Sequence, residues 1–311
     1  MKIKNYLAPL LAAAMVVALG TQTSKAADAI LTGNVLKVGV NDSGSLIDSG
    51  FNVGITWDST GTGTFGSLDF LKPGSPYEFY SAGYTGVTGD PVTGVGAYYN
   101  GSNAFNAITA NTSSGGTLST LTTGNLNGAL ALSQVLSYGA NSGTIDFSVT
   151  LTNTSGDTLN NVVYARGLDP DQDVFGGGSY STQNDIISND LVIGTGLATS
   201  WTIGISTNSS YAHAPSIVSG WPYTDPNGLQ TNFSGITSEY ADDSINMAWN
   251  IGTLDSGDSA TINFEYIIGP TVGDVTGVPD AASTLSLLVL GFAFTAIAGR
   301  SLKQRAVAIT R

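Results

Sequence analysis

The stretch that decides the fold is ATINFEYII, residues 260–268. Its apolar side chains recur at every second position: Ala260, Ile262, Phe264, Tyr266 and Ile268. Polar side chains occupy most of the positions between them. Because successive side chains of a β-strand point to opposite faces, this period of two predicts a strand with one buried face and one solvated face.

The same alternation recurs on both sides of this stretch, at Phe147–Leu151, Trp201–Ile205 and Ile245–Ile251. Other strand-like runs are Ile30–Val40, Phe51–Trp57, Glu78–Tyr84, Gly94–Asn100, Ala129–Tyr138 and Asn161–Leu168. Segments rich in Gly, Pro, Asn and Asp separate them, and no internal segment has a helical period. The sequence therefore predicts an all-β fold over residues 27–270. We expect an antiparallel β-sandwich, and the length of the domain also suits an enlarged one with two broad sheets.

Two internal segments lack this alternation. Ser, Thr, Gly and Asn dominate Thr109–Gly128, which we interpret as a long loop, with a domain boundary as the alternative. Residues 271–277 are interpreted as a linker to the C-terminal tail.

The N-terminus has the order of a secretory signal peptide. Lys2 and Lys4 precede the apolar stretch Leu7–Leu19, and small residues surround a cleavage point after Ala26. We therefore predict a signal peptide over residues 1–26, with a retained N-terminal anchor as the alternative.

A second apolar segment, residues 281–299, contains no charged residue. As a helix it would be about 28 Å long, close to the thickness of the hydrocarbon core of a bilayer. The basic cluster Arg300, Lys303 and Arg305 follows it and is expected to stay on the cytoplasmic side. A buried core helix is the alternative, but such a helix needs a polar face. We predict one C-terminal transmembrane helix.

The motif Val278-Pro279-Asp280, the apolar segment and the basic cluster together resemble PEP-CTERM sorting tails, in their Val-Pro-Asp variant. The resemblance implies export, anchoring by the helix, cleavage near the motif by an exosortase-type membrane protease, and transfer to the cell surface or extracellular matrix. Two features depart from the family pattern: Ala281-Ala282 replaces a Ser-Gly or Gly-Gly pair, and the tail continues to Arg311. The similarity covers about residues 278–311 and does not extend to the domain before them.

The predicted exported domain is strongly acidic. Of the 23 acidic residues in the chain, 22 lie between residues 27 and 279, where the only basic residues are Lys37, Lys72 and Arg166, so this part carries about 19 net negative charges. Such a charge repels phosphate backbones, so we expect no nucleic-acid partner, and it leaves cations as the natural counterpart. The chain has no cysteine, which excludes disulfides and thiol chemistry.

The densest group of candidate ligands follows a predicted strand. Asp169, Asp171 and Asp173 alternate along the chain and can bring several hard oxygens to one Ca²⁺ ion. The segment is not an EF-hand, because Val174 occupies the position of the turn glycine. In the alternative interpretation these acids cap a strand or are solvated, and Arg166 pairs with a carboxylate to anchor a loop. No other cofactor is expected.

Evidence for catalysis in the sequence is weak. His213 is the only histidine, and the spacing of Glu78, Glu239 and Glu265 selects no catalytic pair for glycoside cleavage. We therefore assign no catalytic residue. Trp221 is a candidate exposed platform for a sugar ring, although a packed loop aromatic is the favoured interpretation.

Three functional hypotheses follow. The first is a non-enzymatic exported protein of the cell surface or matrix, delivered by the tail with an exosortase-type protease and the membrane as partners. The second is a surface protein that binds or cleaves extracellular polysaccharide. The third is a single-pass membrane protein whose tail is never processed.

Overall fold

The computed structural model describes residues 28–97, 99–220 and 222–276. These residues form seventeen β-strands and two short α-helices. The strands are β1 (Ala29–Thr32), β2 (Leu36–Val40), β3 (Ile55–Trp57), β4 (Glu78–Thr85), β5 (Pro91–Ala97), β6 (Ile108–Asn111), β7 (Thr117–Leu126), β8 (Leu130–Gly139), β9 (Thr144–Asn153), β10 (Leu159–Leu168), β11 (Thr182–Ser188), β12 (Leu191–Thr195), β13 (Thr202–Thr207), β14 (Ala212–Ser219), β15 (Ser238–Ala241), β16 (Asp243–Leu254) and β17 (Ser259–Gly269). The helices are α1 (Pro226–Gln230) and α2 (Val272–Thr276).

The strands form three antiparallel sheets. The largest has nine strands in the order β15-β11-β12-β13-β17-β9-β8-β7-β6, the second has five in the order β14-β16-β10-β4-β5, and the smallest is β1-β2-β3. The prediction of an all-β fold is confirmed, and the arrangement is consistent with a β-sandwich. The stretch ATINFEYII lies in β17, in the middle of the large sheet, between β13 and β9.

The main core lies between the inner face of the nine-stranded sheet and the two smaller sheets. On that face the Phe264 ring lies 4.9 Å from the Trp249 ring of β16 and 6.3 Å from the Tyr164 ring of β10. On the opposite face of the same sheet, the hydroxyls of Thr150 and Thr261 are 2.8 Å apart and exposed. The alternation in β17 therefore separates a packed face from a solvated one, as the sequence predicts.

The five-stranded sheet is covered on its second face as well. Leu229 of α1 is fully buried in a smaller cluster with Phe79 of β4 and Ala165 of β10. Because both faces of this sheet are covered, β4 and the second half of β10 are buried almost without interruption. Charged residues on these strands are therefore enclosed by protein.

Several segments differ from the sequence interpretation: of the run Phe51–Trp57 only Ile55–Trp57 is a strand, and Val272–Thr276 of the expected linker forms α2. The run Ile30–Val40 is not one strand, because a turn in which the Gly33 amide donates to the Leu36 carbonyl (2.8 Å) separates β1 from β2. The long loop predicted at Thr109–Gly128 is wrong, since most of that segment forms β6 and β7 at one edge of the large sheet. Threonines occupy several of its inward positions, and Thr109 and Thr122 share a buried hydroxyl contact of 2.9 Å.

The predicted signal peptide and the predicted transmembrane helix lie outside the described residues. Among the helices that are described, none has the length and apolar character needed to cross a bilayer.

Candidate functional site

Two groups of buried charges lie close together along the chain, at the end of β10. Arg166 is on β10, and Asp169 is the first residue after the strand ends. Asp171 and Asp173 lie in the loop that leads to β11. Since this end of β10 lies between β4 and β16, these side chains meet residues that are far away in sequence.

Arg166 is fully buried between the two larger sheets. Its Nη2 lies 2.6 Å from Glu78 Oε1, its Nε donates to the same oxygen at 2.6 Å, and its Nη1 donates to Gln134 Oε1 at 2.8 Å. The guanidinium also lies 4.6 Å from the centre of the Phe147 ring. The other oxygen of Glu78 accepts from the Leu46 amide at 2.6 Å, so the pair does hold a loop. Burial raises the pKa of Glu78, and the charge of Arg166 opposes that shift.

Asp173 makes a separate structural contact. Its carboxylate accepts from the amide of Ala198 (2.7 Å) and from the amide and hydroxyl of Thr199 (2.9 and 2.6 Å). These bonds close the loop between β12 and β13. Asp173 is thus engaged with that loop and does not join Asp169 and Asp171.

A different residue, Asp242, completes a group of three carboxylates, which we call the acidic cluster: Asp169, Asp171 and Asp242. One carboxylate oxygen from each lies within 4.8 Å of the others. Asp169 and Asp171 are 1% and 2% exposed, whereas Asp242 is open to solvent. Asp242 lies between β15 of the nine-stranded sheet and β16 of the five-stranded sheet, where the chain passes from one to the other.

The backbone holds the two buried members of the acidic cluster in place. The Asp169 amide donates to the Tyr77 carbonyl at 3.0 Å, and the Asp171 amide donates to the Phe70 carbonyl at 2.9 Å. The loop before β4 is thereby attached to the end of β10. These main-chain bonds fix the backbone from which both carboxylate side chains extend.

The negative charges of the acidic cluster are not balanced by the described protein. Both carboxylate oxygens of Asp169 and Oδ1 of Asp171 are buried and accept no hydrogen bond from an amide or hydroxyl of the described residues. Burial raises the pKa of Asp169 well above its usual range, and the charges of Asp171 and Asp242 add to this effect. Burial and then Asp242 raise the pKa of Asp171 to about 8. In the described ranges the ion pairs are Arg166–Glu78 and His213–Asp190, so no basic side chain reaches these carboxylates. Such a group can hold protons or a cation.

A second candidate site is a polar groove on the solvated face of the nine-stranded sheet, with a volume of about 340 Å³. Asp146 of β9 and Glu265 of β17 are directly opposite each other on its floor, and Asp190 lies at its side. Nearby, His213 places Nε2 2.7 Å from Asp190 Oδ1 and Nδ1 2.7 Å from the Tyr211 carbonyl. Because both ring nitrogens face these oxygens, neither is left for a serine hydroxyl.

The remaining candidates separate into described and undescribed residues. Glu239 is exposed on β15, opposite Asn184 of β11. Trp221 and the sorting-tail residues Val278, Pro279, Asp280, Arg300, Lys303 and Arg305 lie outside the described residues. Asp242 is not recognisable as a ligand from the sequence, because an Asp-Asp pair is also typical of an ordinary turn.

No family model matches the chain, and no curated protein matches it significantly. Among solved structures, it is similar to heparinase III (9% identity, TM-score 0.37, 54% of this chain and 22% of that chain). It is also similar to a GH36 alpha-galactosidase from Geobacillus stearothermophilus (9% identity, TM-score 0.40, 80% and 40%) and a TPR-domain containing protein from Parabacteroides distasonis (8% identity, TM-score 0.44, 82% and 55%). The chain spans between about a fifth and just over half of the length of these proteins. Similarity at this level carries no information about the activity of the chain.

Proposed function

We propose that the chain is an exported, non-enzymatic β-sandwich protein of the cell surface or extracellular matrix, delivered by its C-terminal tail. The observation that carries the proposal is the position of the tail relative to the folded domain. The described core is built from residues between Ala29 and Val275, and its last element, α2, ends two residues before Val278. The uncharged segment 281–299 therefore follows a domain that already has its own core.

The arrangement of charges in the domain supports a structural role. Arg166 and Glu78 are both fully enclosed between the sheets, where a substrate cannot reach them. The ring nitrogens of His213 already face Asp190 and Tyr211. Arg166, Glu78 and His213 are thus engaged in contacts with other residues of the domain.

The proposal is tested by the intact mass of the protein recovered from the cell surface and the medium. We expect the mass to lack residues beyond about Val278, because an exosortase-type protease would cut near the motif. Replacing Val278, Pro279 and Asp280 with alanine should leave the tail attached. The matched control is Thr310→Ala, which also lies in the tail but outside the three recognised parts.

Two outcomes would contradict sorting. A surface protein that retains the whole tail would be a permanent single-pass membrane protein. If a chain that ends at Gly277 still reaches and remains at the cell surface or matrix, the tail is not the sorting signal.

A second candidate function is the binding or cleavage of extracellular polysaccharide, and the polar groove favours it. Asp146 and Glu265 are opposite residues on neighbouring strands, where Cβ atoms are about 5 Å apart, and hydroxyl and amide side chains surround them. Such a lining can hydrogen-bond sugar hydroxyls, and two close carboxylates suit retaining glycoside cleavage.

This candidate is tested with a panel of acidic and neutral polysaccharides, measuring both binding and the release of new chain ends. If the groove is the site, Asp146→Asn and Glu265→Gln should each weaken binding about tenfold, while the remote Asp157→Asn should not. New chain ends would make the protein an enzyme and overturn the first proposal. If no polysaccharide binds, the second candidate is excluded.

A further inference from the structure

We propose that the acidic cluster, Asp169, Asp171 and Asp242, binds one Ca²⁺ ion where the chain passes from the nine-stranded to the five-stranded sheet. The inference goes beyond the proposed function and does not depend on the sorting tail. It rests on the spacing of the carboxylates, on the unbonded oxygens of Asp169, and on the way the cluster opens to solvent.

The spacing suits Ca²⁺. Oxygens that bind Ca²⁺ lie about 2.4 Å from the ion, so two of them are at most about 4.8 Å apart. The three carboxylate oxygens of the acidic cluster lie within 4.8 Å of one another. Mg²⁺ prefers one or two carboxylates and keeps several waters, so a group of three carboxylates suits Ca²⁺ better.

The second observation is the state of Asp169. A buried carboxylate normally accepts hydrogen bonds, because burying it without partners loses the hydration of its charge with nothing in return. Asp69 in the neighbouring loop is 3% exposed and follows this rule, since its oxygens accept from the amides of Gly54, Ile55, Leu71 and Lys72. Asp169 is 1% exposed, and neither of its oxygens accepts such a bond.

A divalent cation resolves this difference. The side chain of Asp169 faces two further carboxylates, and Asp243 adds a fourth negative charge nearby. No lysine or arginine among the described residues pairs with any of them. A Ca²⁺ ion would supply the positive charge and the oxygen contacts that the chain does not supply.

The geometry also gives the ion a path from solvent to the acidic cluster and a structural role there. Asp242 is exposed, so the cluster is open to solvent on one side, where water can complete the coordination. Asp169 and Asp171 belong to the segment after β10, and Asp242 belongs to the corner between β15 and β16. The bound ion would therefore join two segments that are far apart in sequence and stabilise the passage between the sheets.

The experiment titrates CaCl₂ into the full-length chain after chelator treatment, with calorimetry for affinity and thermal unfolding for stability. We expect saturable binding and a rise of about 5 °C in the unfolding midpoint at a Ca²⁺ concentration 100 times Kd. Asp242→Asn and Asp171→Asn should each weaken binding at this site at least tenfold.

Two controls separate loss of the binding site from a general charge effect and from loss of the fold. Asp157→Asn removes the same charge at the other end of β10 and should bind like the unmodified protein. Asp242 is exposed, so its replacement should leave the fold intact, which circular dichroism checks. The proposal is overturned if the unmodified protein binds no Ca²⁺ at about 5 mM, if Asp242→Asn binds it equally well, or if Mg²⁺ binds as tightly as Ca²⁺.

Discussion

The Arg166–Glu78 pair and the acidic cluster differ in how their charges are balanced, although Arg166 and Asp169 are only three residues apart along the chain. Both contain fully buried charged groups at the same end of β10. Arg166 contacts Glu78 of the neighbouring strand β4 and Gln134 and Tyr266 of the facing nine-stranded sheet. Asp169 receives no hydrogen bond from an amide or hydroxyl, and its carboxyl contacts the carboxyl of Asp242. Burial alone therefore does not identify a binding site. A buried charge that the protein leaves unbalanced indicates a ligand.

The largest expected effect comes from breaking the balanced pair. Glu78→Ala should lower the free energy of unfolding by about 3–5 kcal/mol, because it leaves the Arg166 charge unpaired between the sheets. Denaturant unfolding measures the loss. The double variant Glu78→Leu with Arg166→Met removes both charges and should be less destabilised than Glu78→Ala. A loss below about 1 kcal/mol for the single variant would contradict the structural role of the pair.

The next effect concerns Asp173, which sequence analysis grouped with the metal ligands. Asp173→Ala should cost about 2–3 kcal/mol of unfolding free energy, because the Ala198 and Thr199 amides lose a charged acceptor. It should leave the Ca²⁺ affinity of the folded protein within about twofold of the unmodified value. Thr199→Val is the milder control, since it removes the hydroxyl bonds to Asp173 and from the Trp201 amide but keeps both amide bonds to Asp173. A tenfold loss of Ca²⁺ affinity in Asp173→Ala would place this residue among the ligands after all.

A smaller effect is expected from pH in the chelator-treated protein. The folded-state pKa of Asp171 is raised to about 8, above the unfolded value of about 3.9, so the folded state binds more protons between these values. The stabilisation is present at low pH and is lost as pH rises through 8. Between pH 5 and pH 8 we expect Asp171→Asn to reduce this loss by about 1–2 kcal/mol. An unchanged pH profile in Asp171→Asn would show that its carboxyl is not the group that titrates.

The smallest effect is expected at the exposed ion pair. Asp190→Asn removes the partner of His213 at the surface, where such pairs contribute little because water and salt screen them. The free energy of unfolding should change by less than about 0.5 kcal/mol. A change above about 1 kcal/mol would show that His213 and Asp190 carry more of the stability than their exposure suggests.

The sequence predicts the regular strands well and the irregular edge poorly. β17, β8 and β4 are recognisable because their apolar side chains alternate or run continuously. β7 was missed because buried threonines, Thr120 and Thr122, occupy positions where apolar residues would reveal the period. These side chains are recognisable as core only once β8 lies beside them and their hydroxyls find partners.

The all-β class and the acidic excess of the domain can be inferred from the amino-acid sequence without a structure, and the sequence also supports the hypothesis of a sorting tail. Periodicity and composition are properties of neighbouring residues, so they can be read without a fold. The contacts of the charged side chains follow from the tertiary packing. Glu78 pairs with Arg166, Asp173 binds the loop at Thr199, and Asp242 lies beside Asp169 and Asp171. These contacts join residues far apart in the chain, and their partners follow from how the sheets pack, which no local pattern encodes.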